Sequence, residues 1–277
     1  MKRLARWFKE KEKVLVMGVL NLTPDSFYDG GRYTTPQAAV ERALAMVDEG
    51  ADIIDVGGES SRPGARQANV DEELARVIPV VKQIARRSDV LISVDTTKSA
   101  VAQAAIAHGA SIINDISALR FDPNMAEVVA GSSAFLVLMH MQGRPETMQR
   151  DPAYADVVGE IKDFLRARMD VAVSAGVDRK RLIIDPGIGF GKQLAHNLNI
   201  LRRLSEFKDI DVPILIGLSR KSFLGEILDL PSSERLVGTI AANAIAIANG
   251  ADIIRVHDVK EGRRTADVAF RLRNHAT

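Results

Sequence analysis

Eight short apolar runs in this 277-residue chain each stop at residues equipped for chemistry. Asn21 follows the run 14–20, Gly57-Gly58-Glu59-Ser60 follows 52–56, Asp95 follows 90–94, and Asn114-Asp115 closes the run that begins at 111. His140 follows 134–139, Asp185 follows 182–184, and Ser219-Arg220-Lys221 follows 213–217. In the last run, 252–256, Arg255 and His257 stand two residues apart and share one side of an extended chain. A single polar residue in such a place is ordinarily a helix cap. Eight polar ends in one chain describe a site. Arg62, Arg220, Lys221, Arg255 and His257 bring positive charge to those ends, which suits phosphate or carboxylate; Arg220 reads equally well as a surface charge. The run Asp185-Pro-Gly-Ile-Gly-Phe-Gly-Lys192 resembles a phosphate-cradling loop but has neither dinucleotide nor Walker spacing. Its glycines would let a flat ligand come close to the backbone.

The runs that carry these residues are continuously apolar, as expected of parallel strands covered on both faces. Longer amphipathic stretches separate them and carry helix punctuation. Thr35-Pro36 places a cap before a proline at N1, Asp71, Glu72 and Glu73 put negative charge on a first turn, and Asp95-Thr96-Thr97 is read as the start of a third helix. The junctions Gly50-Ala-Asp-Ile-Ile, Gly109-Ala-Ser-Ile-Ile and Gly250-Ala-Asp-Ile-Ile repeat one device, a left-handed helix cap that runs into a strand. One βα unit of about 30 residues, copied eight times, describes an α/β fold: a single (β/α)8 barrel domain over 1–277, with its site at the carboxyl ends of the strands. A doubly wound open sheet is the competing architecture. The connections 23–35 and 60–69 are long and rich in Gly, Pro, Asp and Ser, and read as lids.

Composition narrows the partners. With 37 basic and 36 acidic side chains the formal charge is +1, so the footprint of a nucleic-acid-coating protein is missing. The absence of cysteine removes disulfides, thiolate zinc, iron–sulfur clusters and a cysteine nucleophile. Residues 1–13 are basic but broken by charges, without the apolar core of a signal peptide, and no run is long enough to span a bilayer. A cytoplasmic protein acting on small molecules is expected.

Taken together, Asn21-Leu-Thr-Pro-Asp-Ser-Phe27, Gly57-Gly-Glu-Ser-Ser-Arg-Pro-Gly64, Ser93-Val-Asp-Thr96, Asn114-Asp-Ile116, Met139-His-Met-Gln-Gly143, residues 185–192, Ser219-Arg-Lys-Ser222 and Arg255-Val-His-Asp258 resemble, in order, the motifs of the dihydropteroate synthase family. The resemblance spans about Val14 to Val259. It implies condensation of 6-hydroxymethyl-7,8-dihydropterin pyrophosphate with p-aminobenzoate, giving 7,8-dihydropteroate and pyrophosphate in folate synthesis. It implies a pterin site made of Asp95, Asn114, Ile116, Met139, Asp185, Phe190, Gly217, Lys221 and Arg255, with Asp185 gripping adjacent N–H donors and Arg255 laid on the ring face. Pyrophosphate would be held by Asn21, Arg62, Arg255 and His257, with Asn21 also a ligand of Mg²⁺. The p-aminobenzoate site would comprise Phe27, Ser61, Pro63, Phe190, Lys221 and Ser222, with Asp29 ordering the closed loops. Asp95, Lys221, Arg255 and His257 would carry catalysis by a dissociative route that needs no general base.

Ser61 stands where the family more often has threonine. The missing methyl is worth about 0.8 kcal/mol of contact if enclosed, and it bears on p-aminobenzoate affinity and on discrimination against sulfonamide mimics. His108, His196 and His275 read as capping or solvent residues, and His140 reads as structural or functional alike. Two other readings compete: a methyltransferase barrel that serves a corrinoid, and a non-catalytic pterin- or phosphate-binding protein. The resemblance also implies a homodimer packed through late helices; the apolar stretch 238–250 is read mostly as core.

Overall fold

The computed structural model describes residues 4, 7, 10, 12–23, 35–60 and 66–274. Phe27, Asp29, Ser61, Arg62, Pro63 and His275, and most of the two expected lids, lie outside the described residues. All eight apolar runs form strands: β1 (Leu15–Asn21), β2 (Ile53–Gly57), β3 (Leu91–Asp95), β4 (Ile112–Asp115), β5 (Phe135–Met139), β6 (Leu182–Asp185), β7 (Leu215–Gly217) and β8 (Ile253–Val256). Every named pair is parallel, in the order β6-β5-β4-β3-β2-β1-β8-β7. The two ends of that order meet through a parallel bridge between Ile184 and Ile214, and Ile184 N donates to Pro213 O at 3.0 Å. The barrel is nearly closed, and the open-sheet alternative falls.

Helices alternate with the strands: α1 (Pro36–Asp48), α2 (Val70–Arg87), α3 (Ser99–Ala107), α4 (Met125–Ala130), α5 (Val157–Ser174), α6 (Leu194–Arg202), α7 (Ser222–Leu228), α8 (Leu236–Ala248) and α9 (Val259–Asn274). Thr35 caps α1 by accepting from Ala38 N at 3.2 Å, with Pro36 at N1. Asn69 and Glu72 form a capping box on α2. The third helix starts later than Asp95-Thr96-Thr97 suggests: Asp95 ends β3, Thr96 Oγ1 accepts from Lys98 N at 3.2 Å, and the helix begins at Ser99. The threonine bonds its own backbone in a turn and so delays the helix.

Two apolar layers explain why the strand runs do not alternate. Outward residues such as Val16, Ile54, Ile92, Ile113, Leu136, Ile184, Ile216 and Ile254 join the core under the helices. Inward Met17, Ile53, Leu91, Ile112, Phe135, Ile183, Leu215 and Ile253 fill the barrel floor with Leu4 and Trp7. Two residues further along several of these strands the inward side chain becomes polar: Ile53 gives way to Asp55, Ile112 to Asn114, Ile183 to Asp185 and Ile253 to Arg255. The floor is built by burial, and the layer above it by hydrogen bonds and ion pairs.

The repeated glycine junctions lock the amino-terminal rim. Gly50, Gly109 and Gly250 have φ of 102°, 114° and 115°, the left-handed region that favours glycine. Asp52 N donates to Val16 O at 2.9 Å, while Asp52 Oδ2 accepts from Val16 N at 3.0 Å. Asp252 treats Ile214 in the same way, at 2.9 and 3.0 Å. Each aspartate therefore ties its own strand to the neighbour. Asp52 also pairs with Lys13 and, at 3.0 Å, with Arg263 of α9. Asp52→Ala leaves the buried Val16 N–H without its acceptor and takes one of two carboxylates from Arg263, which keeps Asp267, and is expected to lower stability by about 1–3 kcal/mol. Thermal melts read that loss, and kcat per folded molecule stays unchanged because the opposite rim carries the site.

The stretch 238–250 is less buried than its composition suggests. Helix α8 buries Thr239, Asn243, Ala246 and Ile247. It exposes Val237 (76%) and Ile245 (57%), beside Val268 (62%) and Leu272 (74%) of α9.

Candidate active site

The carboxyl ends of the strands bring the polar layer to one mouth. Asn21, Gly57, Asp95 and Asn114 are successive register partners across β1 to β4. Met139 of β5 partners Asp185 of β6, and Gly217 of β7 partners Arg255 of β8. Arg255 Nε donates to Asp55 Oδ2 at 2.6 Å, and its Nη2 donates to Asp95 Oδ2 at 3.0 Å. Asn114 Nδ2 donates to the same Asp55 oxygen at 3.3 Å. Asp115, next along β4, faces outward instead and accepts from Ser117 N, Ser117 Oγ and Leu119 N at 2.7–2.8 Å, so it shapes the following loop.

Burial pushes the Asp95 carboxyl up to about 7, with Arg255 pulling it down and Asp55 raising it further. Burial also opposes the Arg255 charge, but Asp55 and Asp95 more than offset it and hold the guanidinium above its ordinary value. Burial raises Asp185, partly countered by Lys221, and lowers Lys221 to about 8, partly countered by Asp185. A mouth in which carboxylates and cations are desolvated side by side is a place where proton and charge chemistry can be tuned near neutrality.

The glycine loop after β6 supplies the second half of the site. Gly187 N donates to Asp185 Oδ1 at 2.7 Å. Gly187 has φ 69°, and a Cβ there would lie 1.9 Å from His140 O, so glycine alone allows the loop to pass the end of β5. Lys221 Nζ donates to Ile188 O and lies 4.8 Å from the centre of the Phe190 ring. A Cβ on Gly217 would fall 3.8 Å from Lys221 Nζ and 3.9 Å from Arg255 Cβ, so the end of β7 runs close beside both cations. Ile116 and Met139 form one apolar cluster with Met141 and Met148, against which Phe190 packs. A flat, polar-edged molecule would meet that wall on its face and the carboxylates, amide and ammonium on its edge.

The remaining sequence candidates divide. His257 reaches the mouth, its Nδ1 2.9 Å from Ser219 Oγ. Ser222 opens α7 beside Lys221 and is exposed. Arg220 turns away: it has φ 56°, grips Asp258 with Nε and Nη2 at 2.8 Å each, and donates to Ser232 O and Ser233 O. It ties two loops together and does not belong to the anion-facing group. His140 is structural, buried with Nδ1 2.9 Å from Lys192 Nζ and pushed down to about 2 by burial and then by Lys192. His108 lies 2.7 Å from Ala104 O and His196 accepts from Gln193 N, so both serve helix ends.

Two groups are not apparent from the sequence pattern. Asp55 sits inside an apolar run and not at its end, and an acid within Ile53-Ile54-Asp55-Val56 is the available signal. Lys98 bonds Glu59 and, at 2.7 Å, the fully buried Glu73, while Glu59 Oε1 accepts from Ala68 N at 3.2 Å. These bonds pin both flanks of the segment that contains Ser61, Arg62 and Pro63.

Asn21 is the expected magnesium ligand. A Cβ on Gly57 would lie 3.6 Å from Asn21 Oδ1, so glycine leaves that oxygen an open side. Among the described residues no three His, Cys, Asp or Glu side chains converge as a metal cage. One neutral oxygen at an open position fits an ion such as Mg²⁺, which keeps waters and takes most of its charge compensation from substrate phosphates.

A (β/α)8 barrel with polar and charged residues gathered at the carboxyl ends of its strands is the architecture of an enzyme that acts on a small molecule. The sequence profile of the family described as pterin binding enzyme matches residues 17–257. The Escherichia coli (strain K12) dihydropteroate synthase is 50% identical over 246 residues, 89% of this chain and 87% of that protein. The crystal structure of Yersinia pestis dihydropteroate synthase with a sulfonamide drug complex superposes with a TM-score of 0.92 at 44% identity, covering 95% of each chain. That of the Xanthomonas albilineans dihydropteroate synthase in complex with 7,8-dihydropteroate does so at 0.85 and 42%, again covering 95% of each chain. The chain belongs to the pterin-binding enzymes and, within them, to the dihydropteroate synthase family.

Proposed function

We propose that this chain transfers the dihydropterin-methyl group of 6-hydroxymethyl-7,8-dihydropterin pyrophosphate to the amine of p-aminobenzoate, releasing pyrophosphate and forming 7,8-dihydropteroate in folate synthesis. The observation that carries the reading is the polar layer at the strand ends, with Asn114 and Asp185 buried and Asp95, Lys221 and Arg255 half-buried, beside the apolar wall of Ile116, Met139 and Phe190. Asp185 accepts the adjacent N–H donors of the pterin's amino-oxo edge, Asn114 reads the neighbouring ring positions, and Lys221 donates to the oxo group. Arg255 lies against the ring face.

The reaction is dissociative. The carbon–oxygen bond breaks and its electron pair leaves with pyrophosphate. The cation that remains is delocalised into the dihydropterin, and the amine nitrogen then attacks the methylene carbon and loses a proton. Ionised Asp95 stabilises the developing cation by its charge, and no nucleophilic side chain is needed. Asn21, Arg62, Arg255 and His257 hold the pyrophosphate; bound at Asn21, Mg²⁺ supplies charge neutralisation for the departing anion. Phe27, Ser61, Pro63, Phe190, Lys221 and Ser222 enclose p-aminobenzoate.

No helix among the described residues is long and apolar enough to cross a membrane; the reading places the enzyme in the cytoplasm with the rest of folate synthesis. The exposed Val237, Ile245, Val268 and Leu272 on neighbouring helices support a homodimer through α8 and α9. The test of the reaction is pyrophosphate release from the pterin pyrophosphate, with and without Mg²⁺ and p-aminobenzoate. Mg²⁺-dependent release with both substrates is expected, and slower release without p-aminobenzoate marks the dissociative order. No release from folded protein under any condition overturns the reading.

A further inference from the structure

We propose that Asp55, a residue outside the sets above, is the positioning residue of the pterin site: it sets the orientation of Arg255 and Asn114 without touching substrate. The inference rests on the function proposed above and assigns that site one more determinant. Asp55 is fully buried in the middle of β2. Its Oδ2 accepts from Arg255 Nε of β8 at 2.6 Å and from Asn114 Nδ2 of β4 at 3.3 Å. In the strand order β4-β3-β2-β1-β8 those residues lie two strands away on either side. One carboxylate oxygen thus ties together two arms of the site that no adjacent-strand contact could join.

Each bond has a consequence for recognition. Nε is the guanidinium nitrogen nearest the main chain, so fixing it fixes the plane of the group, and the 3.0 Å bond from Nη2 to Asp95 completes a two-point clamp. A carboxylate only accepts, so the Asn114 amide must turn its NH₂ toward Asp55 and keep its carbonyl as an acceptor for the ligand. The amide is thereby committed to a ligand that offers an N–H opposite that carbonyl. The other oxygen, Asp55 Oδ1, is buried and has no hydrogen-bond partner among the described residues. A buried, half-satisfied carboxylate is costly for a fold, and this one sits where the inward layer below is wholly apolar. Its position is explained by what it holds.

The test uses the full-length protein. Wild type is assayed first for dihydropteroate formation; inactivity there counts against the function and not against Asp55. With active wild type, Asp55→Asn is expected to lower kcat/KM for the dihydropterin pyrophosphate about 30- to 100-fold, the scale of misplacing reacting groups, while KM for p-aminobenzoate stays within about twofold. In an Asn114→Ala background the same change should cost several-fold less, because one of its two dependents is gone. A wild-type kcat/KM in Asp55→Asn, or an equal loss toward both substrates, overturns the proposal. If the variant does not fold, ¹⁵N NMR of wild type decides: an Arg255 Nε–H protected from solvent exchange before pterin is added supports a preset clamp, and exchange as fast as surface arginines overturns it.

Discussion

Asp185→Asn is expected to lower kcat/KM for the dihydropterin pyrophosphate by about a thousandfold: of two hydrogen bonds to a charged group, at about 1.5–3 kcal/mol each, one turns to repulsion and the other loses its charge. The variant suits the question because it keeps the shape of the side chain and an oxygen for the Gly187 N–H, now 2.7 Å from Asp185 Oδ1. The glycine loop therefore keeps its anchor, and the loss reports on ligand recognition. An amide set against two N–H donors can accept one and must confront the other with its own NH₂, so a gripping pair becomes one bond and one repulsion. Removing the charge also leaves the half-buried Lys221 without its main counter-charge. Steady-state kinetics with each substrate varied, alongside circular dichroism, measure the effect. A loss of less than about fivefold would place the pterin elsewhere.

Lys221→Met carries the second large effect: a fall of about a hundredfold in kcat/KM, the scale for removing a charged donor aimed at the substrate, with a change in the shape of the pH profile. Burial lowers Lys221 to about 8 and raises Asp95 to about 7. Lysine carries its charge, and donates a charge-assisted hydrogen bond, only when protonated, so activity falls as pH rises through about 8. Asp95 stabilises a cation only when ionised, so activity rises as pH rises through about 7. The wild-type profile of kcat/KM is accordingly a narrow bell centred between those values. Methionine preserves length and apolar packing against Phe190 but cannot titrate, so the alkaline limb disappears in Lys221→Met and the acid limb stays. A wild-type profile flat to pH 10 would contradict the assignment.

Much of this arrangement is legible in the amino-acid sequence, for a specific reason. The strands are buried on both faces, so Val14-Leu-Val-Met or Ala134-Phe-Leu-Val-Leu reads as strand without ambiguity of face, and any polar residue that ends such a run is conspicuous. That logic finds Asp95, Asn114, Asp185 and Lys221, while Arg255 stands out because it shares a side of the chain with His257 just past the end of its run. It misses Asp55, which interrupts its run in the middle. It leaves Arg220 open between site and surface, because composition does not reveal that a left-handed backbone at that residue aims the guanidinium at Asp258. The Gly-Ala-Asp-Ile-Ile junctions are legible as helix caps, but the aspartate's bond to the preceding strand is a tertiary contact and invisible in the pattern. Helix α8 fails for a related reason: an apolar helix has the same composition whether a core or open surface faces Val237 and Ile245.

The central claim is that the polar layer at the barrel mouth seats the pterin while its pyrophosphate is exchanged for p-aminobenzoate. The most direct measurement is a single turnover with enzyme in excess over dihydropterin pyrophosphate, with Mg²⁺ and p-aminobenzoate, followed by mass spectrometry. The account predicts 7,8-dihydropteroate and pyrophosphate in equal amounts for wild type, and neither on the same timescale for Asp185→Asn. Pyrophosphate without dihydropteroate from wild type, or undiminished product from Asp185→Asn, would contradict it.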